Sequence, residues 1–148
     1  MDRNSLLRLC NNNPEAVEWI QLGRVYCHEI DDLVDEDSGK SKADIAERAC
    51  RIGAMALQLY SHPFYQKHTQ ALGHAMLVNT INYADSVGWE GSKVEWQRSY
   101  SDWARHGWIS VALVVASICG GYDCARNESK ELWTLAYVDH HSKTGNAT

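Results

Sequence analysis

The sequence predicts an all-α fold, an up-down bundle of about five helices forming a single domain over residues 1–148. Three observations predict it. Only two prolines occur, Pro14 and Pro63, and both stand where a helix would begin. Long segments repeat their apolar residues at helical spacing. No segment shows the alternation of a strand, and no internal repeat is evident.

Each element follows from local signals. Residues 1–12 read as a short helix near Ser5 to Leu9, or as an arm. Asn13-Pro14 is a cap followed by proline at the first helical position, opening a helix to about Asp37. Its stripe is Val17, Ile20, Cys27, Ile30 and Val34, widened by Trp19, Tyr26 and Leu33. After a loop at Ser38-Gly39-Lys40, Ser41 and Asp44 start a second helix that runs to about Tyr60. Ser61-His62-Pro63 starts a third, to about Val87, ended by Gly88 and Gly91. Ser92 and Glu95 form a capping box for a fourth, to about Ile118, closed by Gly120-Gly121. Its second half, Ile109 to Cys119, is apolar nearly all round and is expected at the buried centre. A last helix is expected from Asn127 to Asp139, with residues 142–148 as a frayed tail.

Composition narrows the function classes. Apolar residues make up 45% and charged residues 22%, as in a globular rather than a disordered chain. Net charge is −5, which disfavours binding to a nucleic-acid backbone or an anionic membrane. The N-terminus lacks the apolar core of a signal peptide. The run Ile109 to Cys119 is about half the length of a membrane span. Five scattered cysteines argue against a disulfide framework and for a reducing, cytoplasmic setting. Cys119 and Cys124 read as two half-buried thiols near a helix end rather than as a zinc site.

The acid is unevenly placed. Glu29, Asp31, Asp32, Asp35, Glu36 and Asp37 lie in one nine-residue stretch without a base, and outside it 13 acids face 14 bases. At about 100° per residue, His28, Asp31, Asp32 and Asp35 share one face beside the apolar stripe. They sit in the last turns of their helix, where the macrodipole favours cations. Like charges three and four apart add a few tenths of a kcal/mol of repulsion each. A bound Mg²⁺ or Mn²⁺ would reverse these penalties; a solvated acidic helix end is the plainer alternative.

Asp31-Asp32-Leu33-Val34-Asp35 is a complete DDxxD and resembles the first metal-binding motif of trans-type isoprenoid synthases. Asn82, Ser86 and Glu90, at four-residue steps, resemble the second motif of the terpene cyclases, with Asp85 nearby. The resemblance implies Asp31, Asp32 and Asp35 on Mg²⁺ (or Mn²⁺) at one side and Asn82, Ser86 and Asp85 or Glu90 at the other. In an up-down bundle the two motifs would end on one side. Lys40, Lys42 and Lys93, with Arg98 a turn further in, reach that side and would meet the phosphates of a diphosphate-containing small molecule. A second resemblance, to all-α nucleoside-triphosphate pyrophosphatases including dimeric dUTPases, rests on Glu29-Ile30-Asp31-Asp32, Asp35-Glu36 and Asn82-Tyr83-Ala84-Asp85. It implies Mg²⁺ held between two helices.

Trp96, Tyr100 and Trp103, at i, i+4 and i+7, share a helix face that suits core or dimer packing better than a ligand wall. Asp139-His140-His141 is a small potential ligand cluster in the terminus, and Gly39-Lys40-Ser41 is not a P-loop. No side chain is singled out as catalytic. The rival from another class is a non-enzymatic helical interaction protein, with an acidic patch for a basic partner and a Trp face for association, as in a homodimer.

Overall fold

A computed structural model describes residues 2–35 and 41–144, with the side chains of residues 2–35 and 41–134. Among the described residues every regular element is a helix: α1 (Arg3–Leu9), α2 (Pro14–Asp35), α3 (Lys42–Ser61), α4 (Pro63–Lys67), α5 (Thr69–Trp89), α6 (Glu95–Ala104) and α7 (Trp108–Thr144). The all-α class holds, and the element count differs from the expected five.

Two expected helices are divided. The segment after Pro63 stops at His68, whose backbone leaves helical geometry at φ −125° and ψ 26°. The Thr69 hydroxyl donates back to the Tyr65 and Gln66 carbonyls, both at 3.1 Å, which supplies partners for the end of α4. The segment expected from Ser92 to Ile118 divides at Arg105–Gly107. A side chain at Gly107 would collide with the Asn79 side-chain oxygen, so glycine permits close approach there. Gly120-Gly121 does interrupt the last long segment, as expected: Gly121 leaves helical geometry, at φ 75° and ψ −169°, so α7 is two helices meeting at a kink, and the second covers the residues expected to form a separate last helix.

The caps are mixed. Ser41 and Asp44 make the predicted reciprocal capping box at α3. Ser92 does not cap α6. Its hydroxyl donates to Gln97 Oε1 at 2.6 Å and accepts from Val94 N–H at 3.1 Å, so α6 begins after Val94 without a side-chain cap. Gly88 does not end α5, which continues through Trp89.

The chain divides into two compact units, residues 1–13 with 70–148, and residues 14–69. In the second, α2 and α3 pack against each other and against α4. Its centre is Trp19, fully buried, with ring centroids 6.1 Å from both Phe64 and Tyr65. The Trp19 indole donates to the Leu59 carbonyl at 3.0 Å, so the one polar atom of the ring is satisfied where water is absent.

In the first unit α1 packs on α7. Arg8 bridges Glu128 at 3.0 Å and also pairs with Glu131. Val111, Ala112, Val115 and Ala116 of α7 are buried, while Ser110 and Ser117 are exposed. The apolar run therefore buries one face and not its whole circumference. The segment Trp108–Thr134 is long and apolar enough to cross a membrane by length and composition, with the Gly121 kink inside it; 22% of its most apolar stretch is buried. Core helices of soluble proteins meet the same two criteria, so no location follows from them.

Candidate functional site

The acidic segment is partly neutralised from within its own unit. Glu29 lies 3.9 Å from Arg48 and 3.8 Å from Arg51, and Asp32 lies 3.5 Å from Arg48. Arg48 and Arg51 stand three residues apart on α3, so both face α2. Glu29 and Arg48 are largely buried, where such pairs are less screened than on an open surface. These cations reduce the repulsion among the carboxylates without any metal. Asp32 and Asp35 are exposed, Asp31 is half-buried, and Asp35 closes α2 with no basic residue in its last turn. Lys42, the first residue of α3, is exposed; Lys40, Glu36 and Asp37 lie outside the described residues.

The second set of expected ligands lies in the other unit, along α5 and just beyond it. Ser86 is fully buried, and its hydroxyl donates to the Tyr83 carbonyl at 2.7 Å. The Ser86 carbonyl in turn accepts from the Ser101 hydroxyl at 2.6 Å, which pins α6 to α5. Asn82 Oδ1 accepts from the Tyr100 hydroxyl at 3.4 Å. Asp85 is half-buried. Glu90 falls one residue past the end of α5 and pairs with Arg105 at 2.6 Å. Lys93 is exposed, and Arg98 donates to the Ser92 carbonyl at 2.7 Å.

Glu90 and Arg98 do come together. They line an open cleft of about 340 Å³ with Gly91, Glu95, Ser99, Ser101 and Asp102. Three carboxylates against one guanidinium make that cleft a poor receptor for a phosphate. Among the described residues, no group of three or more His, Cys, Asp or Glu side chains is arranged to hold a metal ion. Asp31, Asp32 and Asp35 belong to one unit, and Asn82, Asp85, Ser86 and Glu90 to the other.

What the first unit presents most clearly is aromatic. Trp96, Tyr100 and Trp103 of α6 are 60%, 42% and 54% exposed. Trp89 braces Trp96 and Tyr100 edge-on, with centroids 5.4 Å away in each case. Trp133 does the same for Trp103 at 5.8 Å. Such edge-to-face contacts suit the quadrupoles of the rings and restrict their orientation. Leu77, Val78 and Ile81 of α5 are also more than half exposed.

The helical period marks the α6 aromatics in the sequence. The supports Trp89 and Trp133 come from other elements and carry no local signal. Arg48 and Arg51 were legible in principle, as a basic i, i+3 pair on α3, the helix that packs against the acidic one. No family model, curated protein or solved structure matches the chain.

Proposed function

We propose that this chain is a helical interaction protein that associates with a second copy of itself through the aromatic face of α6. The observation that carries the reading is the exposure of Trp96, Tyr100 and Trp103, held in fixed orientations by Trp89 and Trp133. Large aromatic anchors with little side-chain freedom left to lose are the residues that dominate binding energy at interfaces. Charge is compatible with a second copy. The unit bearing this face has nine acids against eight bases, a net charge of −1, so two copies repel little. The test is concentration-dependent melting, because association stabilises the folded chain by mass action. Raising the protein concentration a hundredfold should raise Tm for the parent chain and leave Trp96→Ala/Trp103→Ala unmoved. Equal concentration dependence in both chains would refute the assigned face.

A second reading keeps the DDxxD resemblance: binding of Mg²⁺ or Mn²⁺, with a diphosphate-containing small molecule, at the end of α2. It is favoured by exposed Asp32 and Asp35 in a last turn without a base. The second-motif residues fit it less well, since the Ser86 hydroxyl is buried and engaged by Tyr83. A Tm rise with millimolar Mg²⁺ and pyrophosphate, lost in Asp31→Asn/Asp35→Asn, is the outcome this reading requires.

A further inference from the structure

The outward face of α5 carries almost no charge. Over Thr69–Trp89 the helix has no Lys or Arg and one acid, Asp85. Leu72 and Met76 are buried, whereas Leu77, Val78 and Ile81 are 58%, 53% and 52% exposed. Ala71, His74 and Gly88 are exposed as well, and Asp85 is half-buried. A helix face turned to water ordinarily carries charged side chains, and this one is apolar across its middle.

The order of residues along that face is symmetric. Ala71, His74, Val78, Ile81, Asp85 and Gly88 follow one another at steps of three and four, so they form one stripe about 100° wide. Outward from the midpoint between Asn79 and Thr80, Val78 is matched by Ile81, His74 by Asp85 and Ala71 by Gly88. The inner pair is apolar, the next joins an imidazole to a carboxylate, and the outer pair is small. Such a stripe is complementary to itself when its direction is reversed, which is what a two-fold interface between antiparallel helices requires. The His74 ring is turned for this role. Its Nδ1 donates to the Gln70 carbonyl of its own helix at 2.7 Å, so Nε2 is the nitrogen through which a protonated ring would meet a carboxylate.

The stripe borders the aromatic face of α6. Asn82 and Trp89 flank it on α5, next to Val78 and Asp85 around the helix. Asn82 is the residue that accepts from the Tyr100 hydroxyl, and Trp89 is the one that braces Trp96 and Tyr100. The two open surfaces therefore adjoin.

We infer that two copies of this chain pack their α5 helices antiparallel about a two-fold axis between Asn79 and Thr80, with His74 of each copy against Asp85 of the other. The inference rests on self-association through α6 and adds a second element of the interface and its register. Val78 of one copy meets Ile81 of the other at the centre, and Ala71 against Gly88 at each end lets the helices approach closely. Two imidazolium–carboxylate pairs fix the direction. A parallel arrangement would set His74 against His74 and Asp85 against Asp85, like charge on like.

The experiment uses two variants of the full chain, His74→Asp and His74→Lys/Asp85→Lys, in sedimentation equilibrium alone and mixed one to one. Alone, each variant sets like charges opposite one another at both ends of the stripe, and its dissociation constant should rise at least about tenfold over the parent. Mixed, every contact joins a lysine or histidine to an aspartate, and association should return toward the parent's. On the parent chain, diethyl pyrocarbonate should label His74 readily at dilutions that give the single-chain mass and slowly where the mass nears twice that value. In a parent chain that associates, a mixture no tighter than its separate variants, or equal labelling of His74 at both concentrations, would overturn the α5 register and leave the α6 face standing. A parent chain that stays at the single-chain mass would refute the α6 reading and this inference together. The labelling is read on the parent, so a poorly folding variant does not blunt the test.

Discussion

Trp19 is the largest fully buried side chain among the described residues. It is fully buried, touches both aromatic residues of α4 and satisfies the Leu59 carbonyl near the end of α3. Trp19→Phe keeps much of the apolar area but leaves that carbonyl without its partner. The expected cost is about 1–3 kcal/mol, read as a lower urea midpoint. Tyr60, stacked edge-on against Tyr65 at 5.1 Å, gives a pH signature. Burial is the main reason its hydroxyl ionises above the ordinary value of 10. The stability from keeping it neutral is complete below pH 10 and is lost as pH rises through the higher folded value. Thermal melts should therefore show Tm falling above pH 10, and falling less steeply in Tyr60→Phe.

At the scale of elements, what was legible depended on whether the deciding contact was local. The capping box of α3 needs only Ser41 and Asp44, and it forms as written in the sequence. Ser92 and Glu95 offered the same signature, but the Ser92 hydroxyl is taken by Gln97 and α6 starts later. At Gly107 the Asn79 side chain, from 28 positions earlier in the chain, approaches too closely for a Cβ, a contact that no local reading of α6 could supply. The expected metal site had a similar weakness. Glu29 to Asp35 do share one helix, yet Glu29 is the more buried carboxylate and Asp32 the more exposed, because the pairing of Glu29 and Asp32 with Arg48 is a contact between helices. Gly121 gives a clean test of backbone geometry. Its φ and ψ fall in a region that only glycine adopts readily, and a Cβ there would meet nothing within 4 Å. Gly121→Ala should destabilise the fold by about 1–3 kcal/mol through strain alone, measured by chemical unfolding. No loss of stability would mean that α7 can run through this point unbroken.

For the whole molecule, the opening asymmetry in charge now has a structural counterpart. The net −5 divides as −4 in the unit of residues 14–69 and −1 in the unit that carries the aromatic face. Nearly neutral and rich in exposed aromatic and aliphatic side chains, the second of these is suited to apolar association. The net charge of the acidic unit opposes association of two copies through its own surface. Removing the α6 anchors should thus affect assembly far more than folding, since Trp96 and Trp103 contribute little to the buried core. The most direct measurement is sedimentation equilibrium of the full chain across micromolar concentrations. The account predicts a mass rising toward twice the 16.7 kDa of one chain, with Trp96→Ala/Trp103→Ala staying at the single-chain value. A parent chain that remains at the single-chain mass throughout would contradict it.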